Sequence, residues 1–271
     1  MKNISKCLAA ILLVVNLSSC VDLEPEPLSF FAPENTFMDK EGLEALLITS
    51  RKQIKWEWFG DAFNAGYCET PLVYEYAWSD VSVMGAPEVK EIHNLETQLT
   101  PTTSMALHLR YWDLAWNGIK YANTVISRVP KSTIDNETDK NELLAEGYFH
   151  RAYWYYLLVN QWGDVPLLLE EITEPKLDFY TVSRMKILQQ MKTDMEFAVK
   201  WLPKNVKPGC VNRAAGEHLL AKIYLSTGDF QLAVDATTRC INDYGLHLMK
   251  ERFGVNAEDA ISSVLSSVSN S

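Results

Sequence analysis

Ala221-Lys222-Ile223-Tyr224-Leu225-Ser226-Thr227-Gly228-Asp229-Phe230-Gln231-Leu232-Ala233 is the stretch on which the fold is decided. Within it Ala221, Tyr224, Gly228, Phe230 and Ala233 stand at offsets 0, 3, 7, 9 and 12. Apolar residues of helical period lie on both sides of Thr227-Gly228, which leaves room only for a tight reversal. Two helices, one from Arg213 to Ser226 and one from Asp229 to Tyr244, therefore pack antiparallel. In this reading small Ala221 and Ala233 let the helices approach, Gly228 permits the turn, and Tyr224 and Phe230 fill the groove beside them.

Those offsets are tetratricopeptide-repeat spacings, and such hairpins bury their faces only by stacking on neighbours. Phe149, Ala152 and Tyr155 echo the pattern in a helix from Asp139 to Gln161, where Ala145, Phe149, Ala152, Tyr156 and Val159 step along one face. Gly163-Asp164-Val165-Pro166 ends that helix. A further helix runs from Val182 to Leu202, with Ile187, Met191, Met195 and Ala198 on one side, and Pro203 stops it. Upstream, Leu107, Tyr111, Leu114, Gly118, Ala122, Val125 and Val129 mark a helix from Met105 to Val129 before Pro130. The first helix carries Leu43, Leu46, Leu47 and Ile54, with Thr36 and Asp39 as a capping-box pair. The expectation is an all-α, tetratricopeptide-like array of three hairpins with a long irregular loop insertion.

The N terminus is a lipoprotein signal. Lys2 and Lys6 precede an apolar stretch from Leu8 to Val15, and Leu17-Ser18-Ser19-Cys20 follows, so residues 1–19 read as a signal peptide and Cys20 as the lipidated residue. No stretch reaches the roughly 20 apolar residues of a permanent membrane span. Residues 20–32, with Asp22-Leu23-Glu24-Pro25-Glu26-Pro27, form an extended acidic tether. Residues 33–254 constitute the helical repeat domain, and residues 255–271 a serine-rich, poorly packed tail. Removing the signal deletes two lysines and no acid, which moves the formal charge from -10 to -12. Such acidity disfavours nucleic acid as a partner. Of five cysteines, Cys7 leaves with the signal and Cys20 takes lipid, so Cys68, Cys210 and Cys240 remain, and small buried hydrophobes are the expected role.

In these features the sequence resembles the SusD/RagB family of Bacteroidota outer-membrane lipoproteins. The resemblance rests on Pro33-Glu34-Asn35-Thr36-Phe37 and on the helix Trp112-Asp113-Leu114-Ala115-Trp116-Asn117-Gly118-Ile119-Lys120-Tyr121-Ala122-Asn123. It is most specific in Ala145-Glu146-Gly147-Tyr148-Phe149-His150-Arg151-Ala152-Tyr153-Trp154-Tyr155-Tyr156 with Trp162-Gly163-Asp164-Val165-Pro166-Leu167. Asp194-Met195-Glu196-Phe197-Ala198 with Leu202-Pro203, and the opening stretch itself, complete it. The resemblance implies a non-enzymatic protein that caps a SusC-type TonB-dependent transporter at the cell surface and captures a glycan for import. It also implies lipid anchoring in the outer membrane and no cofactor. His150 departs from the family's usual aliphatic residue, and the chain is shorter than family members, so a truncated, non-functional copy is one alternative.

A glycan site needs aromatic faces for sugar rings beside amides and carboxylates for hydroxyls. The insertion from Asp61 to Thr103 supplies Trp78, Asp80, Tyr76, Tyr74 and Asn94 as candidate ligand-binding residues, with Tyr67 and His93 nearby. Their competing role is to cover the helical core. Trp112, Trp116 and Tyr121 stand at repeat spacing and are expected to pack in the core, Trp154 fits either role, and Arg151 is expected to pair with Glu146 or a helix terminus. The histidines form no pair at i+3 or i+4, so no metal site is expected. No G-x-S-x-G, phosphate loop or H-E-x-x-H occurs, and the 35 acids nominate no glycosidase pair. A protein-interaction scaffold without glycan affinity is the other alternative.

Overall fold

The computed structural model describes residues 38–59 and 106–246, and the structural statements that follow concern these residues. The signal peptide, Cys20, the tether, Cys68, the candidate residues between Asp61 and Thr103 and the serine-rich tail lie outside them. Six α-helices are present: α1 (Lys40–Phe59), α2 (Ala106–Arg128), α3 (Glu137–Trp162), α4 (Arg184–Trp201), α5 (Arg213–Thr227) and α6 (Phe230–Asn242). Each packs on the next in sequence, and α1 also touches α3. The fold is therefore the expected all-α hairpin array. A 3-10 turn, Val129–Lys131, ends α2 where Pro130 forbids its continuation.

Three helix starts, those of α1, α3 and α5, carry a cap from a short polar side chain. Asn136 caps α3 by accepting from the Thr138 N–H at 2.8 Å, and Asn212 caps α5 by accepting from Ala215 N–H at 2.9 Å. At α1 the expected capping residue Thr36 lies outside the described residues. Asp39, directly before Lys40, accepts the Gly42 N–H at 2.8 Å and so satisfies one first-turn donor.

The α5–α6 reversal follows the expected chemistry at Gly228 but not at Phe230. Gly228 has φ of 84°, the left-handed region, and the Asp229 N–H donates to Tyr224 C=O at 2.9 Å, closing a Schellman turn. Ala221, Tyr224 and Ala233 are buried. Phe230, expected in the groove, is instead 66% exposed; the residues that α6 buries are Ala233 and Ala236.

The main core lies between α2, α3, α4 and α5. Trp154, expected to serve either core or ligand, is fully buried there with Tyr155, Leu158, Ile187, Met191 and Met195. Full burial of one such aliphatic side chain stabilises by about 1.5–3 kcal/mol. Gly118 of α2 lies flush against the Trp154 indole, so that a Cβ at this position would overlap the ring. A smaller cluster of Leu43, Leu46, Leu47, Val125, Val129 and Leu143 fixes α1 to the ends of α2 and α3.

Candidate functional site

The connection between α3 and α4 forms the wall of the site. Val165–Pro166 (β1) and Thr181–Val182 (β2) pair antiparallel, Val165 opposite Val182, and close the connection into a loop. The sequence pattern gives only a turn and a linker here, since two-residue strands carry no periodicity. Side chains from α2 and α3 then hold the loop backbone. Tyr155 Oη accepts from the Leu168 N–H at 2.6 Å and donates to the Leu168 carbonyl at 3.2 Å, and Asn123 Nδ2 donates to that carbonyl at 3.0 Å. The Glu171 N–H donates to Ser127 Oγ at 3.0 Å. Arg128 grips the Glu171 carboxylate in a fork at 3.0 and 2.7 Å.

Beneath this wall sits a buried ionic knot. Arg151 donates to both Asp194 oxygens at 2.7 and 3.0 Å, to Asn123 Oδ1 at 3.1 Å and to the Leu169 carbonyl at 2.8 Å. Its guanidinium also lies 5.1 Å from the Tyr148 ring centroid. Arg151 and Asp194 are each 3% exposed. The expected partner, Glu146, lies on the face toward α1 and is taken by Arg51 at 2.6 and 2.8 Å. The five-residue step from Glu146 to Arg151 turns the two side chains to different sides of α3, so they serve different neighbours.

Burial opposes the charge of Glu146, but the hydrogen bonds from Arg51, with the close approach of His150, outweigh it and hold the carboxyl below its ordinary value. His150 is fully buried, with Nε2 3.4 Å from Glu146 Oε1. That contact is misaligned for a hydrogen bond, and neither ring nitrogen has a hydrogen-bond partner. A second cavity of about 450 Å³ opens here, lined by Arg51, Trp58, His150, Tyr153, Cys210 and His218 among others. Cys210 and Cys240 are free thiols, and both are half-exposed rather than the small core residues expected. Among the described residues no group of His, Cys, Asp and Glu could hold a metal ion, and no helix is long and apolar enough to cross a membrane.

The larger cavity, about 670 Å³, lies between α2 and the held loop. Trp112, Trp116, Asn117 and Lys120 line one side, and Leu168, Glu170, Ile172 and Phe179 line the other. Trp112 stands edge-on to Trp116 at 5.4 Å and to Trp162 at 5.3 Å between ring centroids. Here the structure corrects the expectation for Trp112, Trp116 and Tyr121. All three are half-buried; Trp112 and Trp116 pack against the core on one side and present surface to a cavity on the other. Helical spacing shows which residues share a face and is silent on whether a neighbour covers all of it. Phe179 and Glu170 escaped the sequence reading because they lie in a linker with no period. The visible signal was an aromatic pair, Phe179-Tyr180, in an otherwise polar connection.

The comparisons with known proteins agree with this architecture. Residues 68–225, more than half the chain, match the SusD-like family described as "Starch-binding associating with outer membrane". The chain belongs to the SusD-like family. It is 27% identical over 238 residues to SusD-like protein P2 of Formosa agariphila, covering 86% of this chain and 45% of that protein. A SusD-like protein of Bacteroides ovatus is 28% identical over 155 residues, half of this chain. Among solved structures, a SusD superfamily protein of Bacteroides vulgatus superposes with a TM-score of 0.66 at 20% identity, covering 79% of this chain and 46% of that one. A laminarin-binding SusD-like protein also gives 0.66, at 23% identity, covering 77% and 46%. At these identities the structures establish the shared fold. The chain spans less than half the length of these relatives.

Proposed function

We propose that this protein is a cell-surface, lipid-anchored glycan-binding protein that delivers oligosaccharide to a SusC-type TonB-dependent transporter and performs no catalysis itself. The observation that carries this reading is membership of a family described as starch-binding and outer-membrane-associated. Structures of the same fold include one described as laminarin-binding and one solved with a xylogluco-oligosaccharide. Cys20 is the anchor, and the tether of residues 20–32 gives it reach. Trp78, Tyr74 and Tyr76 supply stacking faces, while Asp80 and Asn94 supply hydrogen-bonding groups for sugar hydroxyls. Affinity electrophoresis of the full chain in laminarin, xyloglucan and starch gels tests the reading. Retardation in at least one gel, reduced in Trp78→Ala, is the expected result, and free migration in all of them contradicts it.

A scaffold role has one observation in its favour, the uncovered apolar stripe of Phe230, Val234 and Ile241 on α6. Capture of a TonB-dependent channel by a chain that binds no glycan would select that role.

A further inference from the structure

The insertion between α1 and α2 is not the only source of sugar-stacking surface. We infer that the cavity between α2 and the α3–α4 loop is a second saccharide subsite, formed by Trp112, Trp116 and Phe179 with Asn117 and Glu170 at its rim. This inference rests on the glycan-binding reading above and adds a location to it.

Three observations converge on the cavity. Its volume, about 670 Å³, falls in the roughly 300–1,000 Å³ range of small-molecule sites. Its lining is aromatic where a ring face can be stacked: Trp112 and Trp116 are half-buried, and Phe179 is 45% exposed. Asn117 and Glu170 have no hydrogen-bond partner among the described residues and lie exposed at the rim, where an amide and a carboxylate suit sugar hydroxyls.

Charge narrows the ligand class. Lys120 and Glu170 are opposite in sign, and the remaining acid, Glu171, is already held by Arg128. The rim therefore has no excess cation for a sulfated, phosphorylated or uronic-acid-rich chain. Stacking faces, one apolar wall of Leu168 and Ile172, and balanced polar groups fit a neutral oligosaccharide.

The wall is also rigid. Leu168 is fixed at both its N–H and its carbonyl, and Glu171 at its N–H and its carboxylate. A cavity so held keeps its shape before the ligand arrives, which lowers the ordering cost of binding.

The test uses the full chain in detergent, titrated with laminarihexaose and with a xyloglucan heptasaccharide, read by calorimetry and by tryptophan fluorescence. Phe179→Ala and Asn117→Ala alter exposed side chains, so their melting temperatures should match the parent. The inference expects each to weaken binding of a probe about tenfold, and the double variant to remove most of the fluorescence change. Trp112→Phe, which keeps an aromatic face, should retain more affinity than Trp112→Ala. If Trp78→Ala abolishes binding while Phe179→Ala and Asn117→Ala bind like the parent, the glycan-binding reading stands and the subsite is refuted. If the parent binds no saccharide by either readout, both readings fail. A sulfated oligosaccharide binding more tightly than the neutral probes would overturn the assigned ligand class.

Discussion

Helix α3 and helix α6 obey the same helical spacing in sequence and reach opposite fates in space. Thirteen residues of α3 are buried, including a glutamate, a histidine and an arginine, whereas α6 buries Ala233 and Ala236 alone. The difference is position in the array. Helix α3 has α1 and α2 on one side and α4 on the other, so nearly every face meets a partner. Helix α6 packs on α5, and Phe230, Val234 and Ile241 form a second stripe that no described residue covers. Repeat arrays gain stability from neighbours, so a helix packed on several others bears polar and bulky groups that a helix packed on one described neighbour need not.

The sharpest way to break this contrast is at the ionic knot of α3. Asp194→Ala leaves Arg151 buried with no carboxylate and should cost about 3–5 kcal/mol in urea unfolding. Replacing both partners by apolar residues, Arg151→Met with Asp194→Leu, should recover much of that loss, because no stranded charge remains. Gly118→Ala comes next. The added methyl meets the Trp154 ring, and overpacking should cost about 1–3 kcal/mol.

Acid probes the opposite side of α3. Glu146 has its pKa lowered from 4.5 in the fold, so the folded state holds fewer protons than the unfolded chain in that range. Its contribution is fully present above the unfolded value and fades as pH falls through the folded one. Unfolding midpoints measured between pH 6 and pH 3 should therefore decline less steeply in Glu146→Gln than in the parent. At the far end of the scale, Phe230→Ser on α6 should change stability by no more than about 0.5 kcal/mol, since the ring is already in solvent.

Much of this architecture was legible in the sequence because helices of 13 to 26 residues repeat their apolar face several times over. The helix read from Met105 to Val129 is α2 to within a residue at each end, and prolines mark the stops at Pro130 and Pro203. What escaped lacked periodicity. Asp39 as a cap, the two-residue strands, and the route of Leu168 and Glu171 across α2 depend on side chains distant in sequence. Arg151 illustrates the limit well. Sequence proximity favoured Glu146, while the fold brought Asp194 across from α4 at a separation of 43 residues. The insertion residues Trp78, Asp80, Tyr76, Tyr74 and Asn94 were nominated from residue type alone and lie outside the described residues. Trp112 and Trp116 were visible but assigned to the core, because spacing cannot distinguish a covered helical face from one that borders a cavity.

The central claim is that this chain, spanning less than half the length of its relatives, binds a neutral glycan by itself. Isothermal titration of the full chain with laminarihexaose and a xyloglucan heptasaccharide addresses it most directly. The account predicts saturable binding of at least one of them, weakened by Trp78→Ala and by Phe179→Ala. Heats indistinguishable from dilution with both, from protein whose circular dichroism is that of the folded helical array, would contradict it.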